Sequence, residues 1–354
     1  MIWQLLDSRT VGGIERHVEL LARHLHARGV ATRIVLLASY PEQPSLALFE
    51  GAGAPVSVLD GRFRTLLGAI RAEAPALIHA HGYRANVMAR FAGLAAGVPV
   101  VTSYHAGLRE PFPVGVYQLV DEWTGFLSGR IAVSEMIRAR LPFDAALLEN
   151  FVDVPEQPPV ATGTRIVFVG RLTPEKGPDL FCELARATQT ERASACEWHL
   201  FGDGPMRNAL AADYARHVTF HGFVSDMEAI WRDAGLLVMT SRAEGLPMAA
   251  LEAIAHGVPV LAADVGGLPR IAVPGVSGWL FPAGNLASAR KALDEWLAMG
   301  QAAQAHLSRS AWSYAKAHFS AEAGMAKLAR IYERCAGRDV LAGAGEDLLK
   351  SPVR

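Results

Sequence analysis

What most constrains this chain is an alternation. Short apolar runs, rich in β-branched residues, alternate with stretches of helical period from one end to the other, the pattern of parallel sheets covered by helices. In the first half the expected strands are Ile2–Leu6, Arg33–Ala38, Val56–Leu59, Ala76–Ala80, Val98–Thr102, Arg130–Val133 and Ala145–Leu148. Between the first two, Ile14, Val18, Leu21 and Leu25 recur at the spacing of one helix face, and Gly29 stands where that helix should stop.

Near Asn150 the composition changes. Residues 151–164, FVDVPEQPPVATGT, carry three prolines and no helical period, which reads as a linker. A second strand series follows: Arg165–Val169, Trp198–Phe201, Val218–Phe220, Leu236–Thr240, Val258–Ala262 and Trp279–Phe281. After Asn285 the pattern is helical to about Cys335, and residues 337–354 read as a frayed tail. Gly97-Val98-Pro99 and Gly257-Val258-Pro259 each follow an alanine-rich helix, an echo that suggests two domains of similar build. The chain has 354 residues, enough for two α/β cores but long for one. The expected organisation is a Rossmann-like domain over 1–150, the linker 151–164, and a second such domain over 165–320.

Composition narrows the classes. With 51% hydrophobic and 19% charged residues the chain should pack, and a net charge of −1 gives no electrostatic case for nucleic acid. Three cysteines without a C-x-x-C pair argue against a disulfide framework or zinc site, and a reducing cytosol is expected. The longest run without Lys, Arg, Asp or Glu, Phe91 to Leu108, contains Gly, Pro, Ser, Thr and His, so no membrane span is expected.

Open parallel sheets bind ligands beyond the carboxyl ends of their strands, and the unusual residues gather there. Gly12-Gly13, between the first strand and helix, lets backbone approach a ligand and puts helix N–H groups near an anion. The plain alternative is a tight turn. No G-x-G-x-x-G occurs, which weakens a dehydrogenase reading. Arg171 and Lys176 follow the first strand of the second half, near a helix start. Cations there oppose the helix dipole unless an anion shares the site, and a diphosphate would satisfy both. The alternative is a surface loop paired with Glu175 or Asp179.

The most informative stretch is Ser241 to Glu252, SRAEGLPMAALE. A helix is expected to begin at Pro247, and Leu246 has no side-chain oxygen to cap it. The first-turn N–H groups of Met248 and Ala249 are then left for a phosphate or sugar hydroxyl. Glu244 and Glu252 flank that start and can accept bonds from vicinal hydroxyls; the alternative makes them a loop charge and a solvent-facing one. His79, His81 and His105 close two strands of the first half. No Asp or Glu nearby completes a ligand set, so structural or substrate-contacting histidines are expected, and no metal.

Taken in order, these residues match a family. The chain resembles the GT-B retaining glycosyltransferases of family 4 (glycosyltransferase group 1). The resemblance rests on Gly12-Gly13-x-Glu15, His79-x-His81, Ser103-Tyr104-His105, Val133-Ser134-Glu135 and Asn150-x-Val152-Asp153. It continues through Val169-Gly170-Arg171 with Lys176-Gly177, Gly202-Asp203-Gly204-Pro205, His221-Gly222, the Glu244/Glu252 pair, Gly266-Gly267 and Gly275 with Gly278.

The resemblance implies two Rossmann-like domains facing across a cleft, the first for the acceptor and the second for a nucleotide-sugar donor. It also implies a last helix, 321–336, that crosses back to the first domain. It implies transfer of a sugar from a nucleotide-diphosphate sugar to an acceptor hydroxyl, with retention and with no metal or other cofactor. Arg171 and Lys176 would bind the diphosphate and stabilise the leaving nucleotide. Glu252 would hold the ribose, and Glu244 the sugar ring with help from N–H groups around Gly245, Leu246, Pro247 and Met248. Gly12 and Gly13 would let backbone meet the phosphates, and His105 would touch the transferred sugar. The incoming hydroxyl would attack from the leaving-group face, so no protein nucleophile is implied.

Two departures bear on fit: Phe151 follows Asn150 where the family often has Gly, and Leu246-Pro247 stands where a Phe is common. Two rivals share the architecture, a nucleotide-sugar epimerase and a non-catalytic nucleotide-sugar-binding subunit. The expected acceptor is a glycan, a lipid-linked glycan or a small molecule, in bacterial surface polysaccharide or glycoconjugate synthesis. The expected location is the cytoplasm, with peripheral contact at the inner membrane face allowed. Residues 61–71 could form a basic amphipathic surface helix, although an ordinary amphipathic helix suits the balanced charge of the first half better.

Overall fold

The computed structural model describes residues 1–9, 11–41, 45–105, 112–157, 164–191 and 196–337. Part of the expected linker, residues 158–163, and the expected tail beyond residue 337 lie outside them. The chain divides into two compact units: Met1–Phe151 with the chain from Ala321 onward, and Val152–Ser320.

Unit 1 holds seven strands: β1 (Ile2–Leu6), β2 (Thr32–Leu36), β3 (Val56–Val58), β4 (Leu77–His81), β5 (Val100–Tyr104), β6 (Gly129–Ala132) and β7 (Ala146–Leu147). They form one parallel sheet in the order β3-β2-β1-β4-β5-β6-β7. The connecting helices are α1 (Gly13–Ala27), α2 (Ser45–Glu50), α3 (Phe63–Glu73), α4 (Tyr83–Ala96), α5 (Val114–Trp123) and α6 (Glu135–Arg140). Every residue of β1 is buried, because helices cover both faces of the sheet and leave no face for alternation. Trp3 and Leu5 pack toward Leu66, Ile70, Ala85 and Ala89. Leu6 packs the other way, toward Val18, Ala22 and Phe49. The basic segment 61–71 thus supplies α3, which buries Leu66 and Ile70 in that first core and packs on α4 as an ordinary amphipathic helix.

Unit 2 holds six strands: β8 (Arg165–Val169), β9 (Glu197–Phe201), β10 (Thr219–Gly222), β11 (Ala234–Met239), β12 (Val260–Ala263) and β13 (Gly278–Phe281). They are parallel, in the order β10-β9-β8-β11-β12-β13. Its helices are α7 (Pro178–Glu191), α8 (Arg207–Tyr214), α9 (Met227–Asp233), α10 (Met248–Ala255), α11 (Leu286–Leu297) and α12 (Gln301–Phe319). Asn285 caps α11 by accepting the Ser288 N–H. The echo of Gly97 and Gly257 has a conformational cause: both follow a helix with φ near +70°, where a Cβ is costly.

The last helix, α13 (Ala321–Ala336), belongs to unit 1. It packs on α1 and β5, and its Gly324 leaves room for Phe151: a Cβ there would lie 2.0 Å from the Phe151 ring. The Phe that departs from the family pattern is therefore a buried packing residue.

Candidate active site

In both sheets the strand order reverses beside the first strand, between β1 and β4 and between β8 and β11. At such a point the loops leaving adjacent strands run to opposite faces, and a crevice opens at the carboxyl ends. The two sets of expected residues sit at these points, one in each unit.

In unit 2 the loop after β8 carries Arg171 and Lys176, and the loop after β11 carries Glu244. The structure joins them: Lys176 Nζ donates to Glu244 Oε2 at 2.7 Å, and Ser241 Oγ donates to Glu244 Oε1 at 2.7 Å. The Glu244 side chain is 3% exposed and that of Lys176 is 24% exposed, so this ion pair is shielded on the carboxylate side. Lys176 therefore pairs with neither acidic neighbour weighed from the sequence. Asp179 belongs to Arg242, whose guanidinium forks onto both carboxylate oxygens at 3.0 and 2.6 Å and holds that carboxyl below its usual range. Arg242 Nη1 also donates to the Pro174 carbonyl at 2.6 Å, tying the two loops together. Arg171 is the most open of these groups. Its side chain is 60% exposed and meets Glu175 only at 3.4 Å, a solvated contact worth under ~1 kcal/mol.

Gly177 makes the close approach of the loops possible. Its φ is +66°, and a Cβ there would lie 2.1 Å from the Thr240 carbonyl oxygen. Thr240 Oγ1 donates to the Gly177 carbonyl at 2.6 Å, so Lys176 is seated from both sides of the junction.

One expected boundary is corrected. Pro247 is the residue before α10, not its first helical residue: its φ and ψ of −73° and 127° are extended, and its carbonyl accepts the Leu251 N–H. Met248 and Ala249 are consequently the first two helical residues, and no side chain caps the helix start. Leu246 is buried, and Gly245 O accepts the Gly267 N–H at 2.7 Å. On α10, Met248, Ala250, Leu251 and Ala253 to Ala255 are buried, whereas Ala249, Glu252 and His256 form one half-open stripe. Glu252 is thus half-buried, on the same helix face as the open first turn.

In unit 1, Gly12 is the residue before α1, and its N–H donates to Glu15 Oε2 at 2.9 Å. The Glu15 carboxylate thus folds back over the helix start and takes one of the N–H groups that the sequence offers to an anion. His105 follows β5, and its Nε2 lies 3.2 Å from His81 Nδ1. His81 Nε2 meets Gln4 Oε1 at 3.0 Å, and His79 bridges Tyr332 Oη and Ser103 Oγ at 2.8 Å each. Burial drives all of these imidazoles to the neutral form, His79 to about 3 and His105 to about 4, with His81 and His17 well below their usual value. Among the described residues, no three His, Cys, Asp or Glu side chains are placed to hold a metal ion.

Sequence reasoning gave no role to Ser241 and Arg242, which open the stretch it singled out, and passed over Gln4, His17 and Tyr332. Gln4 did leave a signal, as the lone polar residue of an otherwise apolar strand.

Two parallel Rossmann-like sheets, each with polar groups at its switch point, define the GT-B class of nucleotide-sugar glycosyltransferases. Residues 11–143 match the family model described as Glycosyltransferase Family 4, and residues 163–299 that described as Glycosyl transferases group 1. The chain belongs to this glycosyltransferase family. It is 26% identical over 310 residues to a phosphatidyl-myo-inositol mannosyltransferase of Mycobacterium leprae (strain TN), covering 80% of this chain and 83% of that one. It is 27% identical over 352 residues to a D-inositol 3-phosphate glycosyltransferase of Mycobacterium sp. (strain KMS), covering 82% and 79%. The fold is also that of Anabaena HepE, solved in complex with UDP-glucose, at a TM-score of 0.77 and 20% identity over 95% of this chain and 100% of that one. No described helix is long and apolar enough to cross a membrane.

Proposed function

We propose that the chain transfers a sugar from a nucleotide-diphosphate sugar to an acceptor hydroxyl with retention of anomeric configuration and without a metal, in the synthesis of a surface polysaccharide or other glycoconjugate. The observation that carries this reading is the 2.7 Å contact between Lys176 and Glu244. An ammonium has three donors, so Lys176 can hold Glu244 with one and reach a diphosphate with the others. Glu244 keeps lone pairs for sugar hydroxyls beyond those used by Lys176 and Ser241. One ion pair then links the phosphate end of a donor to its sugar end.

The other roles are those that the family resemblance implies. Arg171 is open enough to neutralise the leaving diphosphate, whose charge grows as the glycosidic bond breaks. The N–H groups of Met248 and Ala249 meet phosphate or sugar oxygens, with Gly245, Leu246 and Pro247 shaping the approach. Glu252 accepts from ribose hydroxyls. Gly12 and Gly13 bring backbone to the phosphates, and His105 contacts the transferred sugar. Both Glu244 oxygens already accept a hydrogen bond, from Lys176 and from Ser241, which lowers the carboxylate's nucleophilicity. This favours attack from the leaving-group face, with the departing phosphate taking the acceptor's proton.

Membership of a family whose relatives carry mannosyl- and glycosyltransferase names supports transfer over epimerisation. The acceptors named for two of them, phosphatidyl-myo-inositol and D-inositol 3-phosphate, support a hydroxyl acceptor on a lipid-linked or small polar molecule. The test is product analysis with a nucleotide-sugar donor and a panel of such acceptors in EDTA. The expected product keeps the donor's anomeric configuration by proton NMR. An inverted product, or activity restored only by a divalent cation, would overturn the mechanism. Conversion of the donor sugar to an epimer without any acceptor would replace the function itself.

A further inference from the structure

Helix α5 of unit 1 is built inside out. Its buried residues are Gly115, Gln118, Asp121 and Glu122, whereas Val116, Tyr117, Val120 and Trp123 share one face and stand exposed. A surface helix facing water ordinarily does the reverse.

The inward face is held by charge. Arg90 of α4, wholly buried, donates to Asp121 Oδ1 at 2.7 Å, and Asn86 Nδ2 donates to Asp121 Oδ2 at 3.1 Å. Arg140, at the end of α6, pairs with Glu122 at 3.3 Å. Both carboxylates of α5 are thereby turned inward, and its outward face carries no charge. The apolar surface runs on past the helix: Phe112 before it is 86% exposed and Phe126 after it 61%. Six of the twelve large hydrophobic side chains exposed among the described residues fall within 112–126, so this is a patch and not a scatter. On one side Tyr117 stacks on Tyr83, with ring centres 6.2 Å apart; on another Trp123 and Phe126 both meet the Phe143 ring edge to face.

Charge says what such a patch faces. Arg130 lies over the Phe143 ring at 5.8 Å and donates to the carbonyls of Gly125, Ser128 and Asp144 instead of to a carboxylate. On the Tyr83 side, Arg9 lies over the Tyr40 ring at 4.8 Å, while Asp7 is taken by Arg84 and Tyr40. An uncharged aromatic face with a guanidinium at each margin complements a bilayer, where Trp and Tyr rings lodge at headgroup level and arginines meet lipid phosphates. A second copy of the chain would bring the same two cations and no acid on this face to meet them.

We propose that the outward face of α5, with Phe112 and Phe126, docks unit 1 on an anionic lipid bilayer, its rings among the headgroups and Arg9 and Arg130 against their phosphates. The proposal does not rest on the transfer reading, and its test needs neither donor nor acceptor.

The experiment is flotation of the full-length protein with vesicles of phosphatidylcholine, alone or with about a quarter phosphatidylglycerol. The protein should float with both and bind the anionic vesicles more tightly, an advantage that added salt removes and Arg9→Gln narrows. The double variant Val120→Glu, Trp123→Glu changes only exposed positions, so its Tm should hold while binding falls at least about tenfold. Lipids brominated near the headgroup should quench a component of tryptophan emission that Trp123→Phe lacks. Failure to float with either vesicle overturns the proposal, and so does binding that survives the double variant. Light scattering supplies the other outcome: a dimer that the double variant dissociates, in a protein that ignores vesicles, would give this face to a second copy and overturn bilayer docking.

Discussion

Lys176 and Glu244 are 68 residues apart, yet their charged atoms lie 2.7 Å from one another because β8 and β11 are neighbours at the reversal of their sheet. Removing either partner has unequal consequences. Lys176→Met strands a carboxylate that is 3% exposed, with Ser241 as its remaining side-chain donor among the described residues, and should cost about 2–4 kcal/mol. Glu244→Gln keeps an acceptor for both neighbours and should cost less than about 2 kcal/mol. Urea unfolding of both variants and the double variant reads the coupling, and equal losses would contradict the asymmetry. Turnover should fall in both.

Nucleotide binding should discriminate by base. At a hundred times its dissociation constant, a ligand stabilises the folded protein by roughly 2.7 kcal/mol, readily visible as a rise in Tm. Among UDP, GDP, ADP and CMP and their sugar conjugates, one family should raise Tm, and Glu252→Ala should reduce that rise. A set of flat melting curves would contradict binding of any of these nucleotides and point to a donor outside the panel.

The buried histidines predict an acid limit. Their folded-state values, about 3 for His79, about 4 for His105 and lower than usual for His17 and His81, lie below the unfolded value of about 6.5. Below that value the unfolded chain binds more protons than the folded one. Their contribution is therefore complete above about pH 6.5 and is lost as pH falls, toward about 4 for His105 and about 3 for His79. Each group adds about 1.4 kcal/mol per pH unit to the slope once its unfolded form is protonated. Asp121, whose carboxyl burial pushes up to about 6, titrates in the same window in both proteins, so His79→Gln should still flatten the slope of unfolding free energy between about pH 5 and 6.5. An unchanged slope would show that His79 is not buried neutral.

Gly177 should tolerate no side chain. Gly177→Ala places a Cβ on the Thr240 carbonyl in a left-handed conformation, a combined cost of about 2–5 kcal/mol if the loop stays put. If the loop moves instead, stability is spared and Lys176 leaves Glu244. Activity should fall in either case. A variant with full activity would mean that the junction does not seat Lys176.

Much of the fold was legible because parallel strands buried on both faces write themselves as apolar runs, and every expected strand has its counterpart within about two residues. The start of α10 was misread by one residue, because proline's fixed φ suits both the first helical position and the residue before it, and only ψ separates them. Of the site, Arg171, Lys176, Glu244 and Glu252 were visible as charges out of place at strand ends and in an alanine-rich helix. That Lys176 meets Glu244, and not Glu175 or Asp179, was invisible, since pairing across loops depends on strand order. Tyr332 was beyond reach for the same reason: nothing near it in sequence points to a histidine 253 residues away.

The placement of α13 carries a consequence for how the molecule is made. Val152 and Ser320 form a β-bridge, so unit 2 leaves and rejoins the rest of the chain at one point, as an insertion between two parts of unit 1. The ribosome therefore finishes unit 2 while the unit begun first still lacks the helix that supplies Tyr332 and receives Phe151. A premature stop codon shortly after position 320 would spare the whole of unit 2 and injure the unit whose strands are all encoded upstream of it.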